Sequence, residues 1–165
     1  MNIPNVNTSE TAILNQLVAE LQTITGLNSG TVFIAAIPLF LEAPPGDQYL
    51  EVVPGAALDV QAKQGTGRMA DSFTVCVFRR LWSDEAGRDS ARIADATRGL
   101  LALIDAVDAK IIASYLKGLA LVPVLPERRE AGERNPQDPA DGWIMMKRQY
   151  KVEYLYSFPS AQSTS

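Results

Sequence analysis

The chain of 165 residues contains no histidine and one cysteine, Cys76. Without an imidazole, Ser–His–Asp and Cys–His nucleophile systems have no base that titrates near neutrality, so both are excluded. Mixed Cys/His zinc sites and all-thiolate sites fail for want of ligands, and an internal disulfide needs a second thiol. Carboxylate-only chemistry of the glycoside-hydrolase kind stays open. No apolar run reaches the roughly 18–20 residues of a membrane-spanning helix. The opening Met1-Asn2-Ile3-Pro4-Asn5 has no basic segment followed by an apolar one, so no secretory signal is expected. A lone thiol and no signal fit synthesis in a reducing cytosol. Excess positive charge is lacking too: 15 basic against 19 acidic residues give a net charge of -4. That balance argues against general affinity for nucleic acid or anionic membrane.

With 47% apolar residues, the chain has enough material for one globular core. Residues 1–8 are polar and read as an arm. Asn7 and Glu10 have the spacing of a helix capping box. Ile13, Leu14, Leu17, Val18, Leu21 and Ile24 then form one helical stripe, predicting a helix over 9–25 that ends at Gly26. A second stripe, Ile93, Thr97, Leu100, Ile104, Val107 and Ile111, predicts a long helix over 84–107, continuing or re-forming as far as Leu116. Ser83 or Asp84 would cap it.

Strands fill the intervals. Val32 to Leu41 is apolar on both faces, but Pro38 removes a ladder donor, so it reads as an edge or broken strand. Tyr49 to Val53 and Ser72 to Leu81 read as strands, and Cys76 inside the latter as a buried core thiol. Between them, the pattern over 56–71 dissolves into an extended loop. Its Gln64-Gly65-Thr66-Gly67-Arg68 reads as a flexible loop or a hairpin tip, since a phosphate loop requires a longer glycine frame and a following helix. Leu119 to Leu125 reads as a fourth strand. Pro126 to Gly142 has three prolines and no apolar residue larger than alanine, and reads as an exposed loop with balanced charges.

Trp143 to Tyr156 alternates over fourteen residues, with Ile144, Met146, Arg148, Tyr150, Val152, Tyr154 and Tyr156 on one face. At about 3.3 Å per residue it spans roughly 45 Å, more than a domain of this size needs, and so invites pairing beyond its own core. Core is the expected place for these tyrosines. Arg148 interrupts the face and must reach an edge or an acidic partner. The order α-β-β-β-α-β-β predicts an α+β fold: a mostly antiparallel sheet of about five strands with two main helices on one face. A single domain over 9–158, followed by a disordered polar tail over 159–165, completes the expected organisation.

In this order and spacing, residues 10–158 resemble the tail-terminator (tail-completion) proteins of long-tailed bacteriophages. The resemblance rests on the N-terminal amphipathic helix, the apolar strand leading to Pro44-Pro45-Gly46, the segment Phe73 to Trp82 ahead of the long helix, and the final strand Arg148 to Tyr154. It implies a virion protein of the neck that closes as a hexameric ring on the finished tail tube and offers the head-joining surface. The implied partners are further copies of the chain, the tail-tube protein and the head-closure or connector protein. DNA would pass through the lumen without specific binding, a passage that mild acidity suits. Neither catalysis, nor a cofactor, nor a metal, nor a membrane is implied. The long loops over 56–71 and 126–142 depart from the family's pattern and leave open another neck or tail subunit, an adaptor, head-closure or tube protein.

Candidate interface residues are Arg68, Arg79, Arg80, Trp82, Arg128, Arg129, Trp143, Lys147 and Lys151, cations together with amphipathic aromatics at element ends. A solvated face is the bland alternative for the cations. Two other functional classes remain. An enzyme would use Asp71, Asp84 or Glu85 with Arg79 or Arg80 as anion clamps, although these positions read more simply as strand ends and helix caps. A cytoplasmic peptide-binding module would add a strand to its sheet edge.

Overall fold

The computed structural model describes residues 7–63, 66–81 and 93–157. Among these residues it is α+β, with one seven-stranded mixed sheet and its two long helices on one face. In chain order the elements are β1 (Asn7–Thr8), α1 (Glu10–Leu21), β2 (Val32–Ile34), β3 (Gln48–Lys63) and β4 (Thr66–Arg80). Then come α2 (Leu100–Ile111), a 3-10 turn at Leu116–Gly118, β5 (Leu125–Arg129), β6 (Glu133–Arg134) and β7 (Trp143–Ser157). The main path is β1-β7-β4-β3-β2, with β5 and β6 both pairing with β7.

Three long strands dominate. β3 and β4 form one antiparallel hairpin, from Gln48↔Arg79 to Lys63↔Thr66, with register shifts between Pro54 and Ala57 and between Asp59 and Gln61. The expected loop over 56–71 is therefore strand apart from Gln64 and Gly65, which lie outside the described residues. Its two halves pair with each other in the hairpin, and 66–71 pair as well with β7, far away in sequence. β7 pairs with β4 along its whole length, from Trp143↔Arg80 to Ser157↔Thr66. Its other edge is met by β6 at Ile144 and Met145, β5 from Arg148 to Lys151, Ala120 at Tyr154 and β1 at Leu155 and Tyr156. The length of the last strand is thus satisfied inside the chain, and its edges need no outside strand.

Several other expectations change. The cap of α1 is Ser9, whose hydroxyl accepts from Ala12 N–H at 3.2 Å, while Asn7 and Thr8 belong to a strand rather than to an arm. α1 ends at Leu21, and Gly26 at φ 85 closes the loose turns beyond it. The second helix is interrupted over its described part. Asp95 Oδ1 accepts from Thr97 N–H at 2.9 Å and Arg98 N–H at 2.7 Å, an Asx turn that competes with the helical ladder. α2 starts only at Leu100, and Ser83 and Asp84 lie outside the described residues. The predicted strand over 119–125 is a single bridge at Ala120 before β5, and parts of the expected loop over 126–142 pair with β7 while every side chain of β5 stays exposed. β2 covers only three residues of the predicted apolar strand, on an edge as Pro38 required.

The main core lies between the helices and the sheet. Ile13, Leu14, Leu17 and Leu21 of α1 and Leu100, Leu103, Ile104, Val107 and Ile111 of α2 pack on Leu50, Val52, Phe73, Val75, Val77, Tyr150 and Val152. The predicted helical stripes and the predicted inner face of the last strand are what is buried there. Thr97, assigned to the second stripe, is exposed because it sits in the Asx turn.

Candidate interface surfaces

The opposite sheet face is covered differently. After Ile34 the chain crosses it as a strap over residues 35–47. Beneath the strap lies a second cluster, Tyr49, Cys76, Phe78, Trp143 and Met145, with Phe33, Phe40, Leu41 and Val53 against it. Tyr49 stacks on Phe78 at 4.3 Å, and Phe40 meets Phe78 edge-on at 5.2 Å. Cys76 is fully buried here, and burial pushes its thiol up to about 12, so it is an inert core thiol.

Two side chains hold the strap. Tyr49 donates its hydroxyl to Leu39 C=O at 3.1 Å and accepts from Leu41 N–H at 3.1 Å. Glu51, almost fully buried, accepts from Leu39 N–H at 3.0 Å. Desolvation raises the Glu51 carboxyl, opposed by that hydrogen bond. The strap is therefore fixed in place, yet it holds apolar side chains outward: Ile37 and Leu39 are 62% and 55% exposed, and Ile34, at the end of β2 just before it, is 42% exposed. Leu39 and Phe40 also line a groove of about 240 Å³, together with Pro136, Gln137, Met145 and Lys147.

A second exposed apolar pair lies elsewhere. α2 ends in a turn where Ala113, Leu116 and Lys117 take φ of 66°, 49° and 55°. Backbone bonds from Ala113 N–H to Val124 C=O and from Val124 N–H to Ser114 C=O join this turn to the approach to β5. Tyr115 and Leu125, each next to that bridge, are 39% and 52% exposed.

The sequence-predicted interface residues divide between these settings. Arg79 reaches back to the start of α2, donating to Gly99 C=O at 3.2 Å and Thr97 C=O at 3.4 Å, and burial lowers its pKa. It is a brace, not a free cation. Trp143 is buried, 5.4 Å from Tyr49, in the cluster beneath the strap rather than at an outer rim. Arg68 and Lys151 both meet Glu153, Lys151 at 3.5 Å, and the Arg68 guanidinium holds the Glu153 carboxyl below its usual range. Lys147 sits 3.7 Å from Glu130, which also pairs with Arg128 at 3.0 Å. Arg80 and Arg129 are exposed, and Trp82 lies outside the described residues. The cations do not converge on one patch; most are neutralised locally by carboxylates.

The acids that matter most to the fold were not singled out as such. Asp71 lies mid-strand and buried rather than at a strand end; its Oδ2 accepts from Tyr154 hydroxyl at 2.7 Å, while burial raises its pKa; the Glu10 carboxyl is raised first by its own desolvation and then by the charge of Asp71. Asp108 on α2 accepts from Arg148 Nε at 2.9 Å and from the Tyr150 hydroxyl, giving Arg148 the acidic partner its inward position demanded. Asp84 and Glu85 lie outside the described residues. Among the described residues no group of three or more potential ligands forms a metal centre. No described helix is long and apolar enough to cross a membrane. Searches of the chain against protein-family models and against curated proteins return no match.

Proposed function

We propose that the chain is a non-enzymatic structural subunit of the neck of a long-tailed phage, a terminator that caps the tail tube as a ring and presents the head-joining surface. The observation that carries this reading is the strap. Aliphatic side chains held outward on a segment fixed by Tyr49 and Glu51 cost apolar exposure without serving the core, which is what a standing contact surface requires. The family resemblance supplies the biological setting, and the α+β class is compatible with it.

The peptide-binding alternative would use an open sheet edge. The edge of β3 beyond Val52 carries Pro54 and two register shifts, devices that blunt strand addition, so contacts through side chains are favoured over backbone pairing. The test is negative-stain imaging of the purified protein, alone and mixed with unfinished tail tubes. Rings, or caps at one tube end, are expected. Featureless monomers in both samples overturn the terminator reading.

A further inference from the structure

We infer that the strap is a latch over the aromatic cluster: it opens as one unit between two fastened ends, and the side chain of Glu51 is its catch. The latch is a property of one copy and does not depend on the ring. The strap lies lightly on the sheet. None of residues 35–47 is buried, and of their apolar side chains Phe40 and Leu41 pack on the cluster beneath, where Tyr49, Glu51, Cys76 and Phe78 are at most 1% exposed. Backbone bonds fasten the two ends, from Ala35 N–H to Val52 C=O at 3.0 Å and from Arg80 N–H to Asp47 C=O at 2.9 Å. Between those ends, among the described residues, the hydrogen bonds from strap to sheet are the three made by Tyr49 and Glu51 at Leu39 and Leu41. Pro38, Pro44 and Pro45 have no backbone donor, so the segment cannot zip up as a further strand. A segment with few buried contacts and few bonds lies at the low end of local stability and opens without unfolding the helix face.

Glu51 makes this opening depend on pH. Its carboxyl is buried with a strap amide, Leu39 N–H, as its hydrogen-bond donor, and opening returns it to water. The groups around it are Tyr49 on the same strand, the Cys76 thiol opposite on β4 and Lys147 next in line on β7. Glu130 and Glu133 approach from β6 and the turn before it, and the strap itself carries Glu42 and Asp47, both exposed. Lys147 is engaged by Glu130 at 3.7 Å and Glu133 at 4.0 Å, and no described cation pairs with Glu51. An ionised carboxylate there keeps the Leu39 hydrogen bond but loses its hydration, and the lost hydration is the larger effect. Neutral Glu51 therefore favours the closed strap. As pH rises above the ordinary carboxyl value of 4.5, ionisation raises the population of the open form, until the closed-state carboxyl has also titrated. The closed form stays the major one, and each opening uncovers Tyr49, Phe78 and Cys76.

The test is amide hydrogen exchange on the whole chain from about pH 4.5 to about pH 8, each rate normalised to its intrinsic value. The Leu39 and Leu41 amides are expected to exchange together, at least about tenfold faster than the buried amides of α1. Their protection is expected to fall at least about threefold across that range. In Glu51→Gln the fall is expected to vanish, since glutamine still accepts from Leu39 N–H but carries no charge. Cys76, the one thiol of the chain, gives a second readout. Its labelling by a thiol-specific aromatic disulfide, normalised to the denatured chain, is expected to follow Leu41 rather than α1. Strap amides that exchange no faster than those of α1, a pH dependence that survives in Glu51→Gln, or a thiol as protected as α1 each overturn the latch.

Discussion

The two faces of the sheet are covered by different physical means. On the helix side, aliphatic residues of α1 and α2 interlock with β3, β4 and β7, and cohesion is spread over many fully buried side chains. On the strap side a single irregular segment lies over an aromatic cluster, held at Leu39 and Leu41 by Tyr49 and Glu51. Interdigitated packing is costly to disturb anywhere, because a cavity removes dispersion contacts on all sides. A strap fixed by polar anchors is different: it can be loosened locally, and its outer side is free to carry residues the core does not need. The helix face carries the larger aliphatic core, and the strap face carries exposed aliphatic side chains.

The sharpest way to break this contrast is to cut both faces. Leu17→Ala, in a fully buried position of α1, is expected to cost about 2–5 kcal/mol in denaturant unfolding. A loss below 1 kcal/mol would mean the helix face is not the stabilising one. Next comes Asp108→Ala. It strips the acceptor from Arg148 and from the buried Tyr150 hydroxyl, and a loss of about 2–3 kcal/mol is expected from those orphaned donors.

On the strap side effects are smaller and local. Tyr49→Phe removes both hydroxyl hydrogen bonds but keeps the ring stack, so about 1–2 kcal/mol is expected, with faster amide exchange at Leu41. Uniformly faster exchange across α1 would contradict a locally held strap. Glu51→Gln sharpens the comparison through pH. A carboxyl whose pKa is raised by folding binds its proton more tightly in the native state, so stability falls as pH rises above the ordinary value of 4.5 and levels off past the folded value. Glutamine can still accept from Leu39 N–H and carries no buried charge. The variant is expected to lose this part of the pH slope and to gain stability relative to wild type at pH 7. The remaining slope combines Asp71 and Glu10, which act in the same direction, with Glu153, whose lowered pKa contributes stability that disappears as pH falls.

Of the candidate interface, the sequence showed the residue types but not their company. Lys147, Lys151, Arg68 and Arg128 looked like available cations; Arg68 and Lys147 meet carboxylates brought in by another turn or strand, while Lys151 and Arg128 pair with Glu153 and Glu130, two residues further along the chain. Arg79 looked like a surface charge, yet it braces the backbone ahead of α2. The Asx turn at Asp95 was locally legible, since an aspartate followed by Gly99 is a breaker signal, but the apolar stripe running through it hid the break.

What the sequence determined by itself is periodic: the buried stripe of α1, the stripe of α2 from Leu100 onward, and the two faces of β7, including the demand that Arg148 find an acid. These follow from side-chain direction along a regular backbone, which is a local property. Tertiary structure alone decided that residues 66–71 pair with β7, that β5 and β6 close the edge of β7, and that the strap lies over Tyr49. Strand pairing and loop docking satisfy backbone groups with partners distant in the chain, and no local pattern encodes which partner arrives.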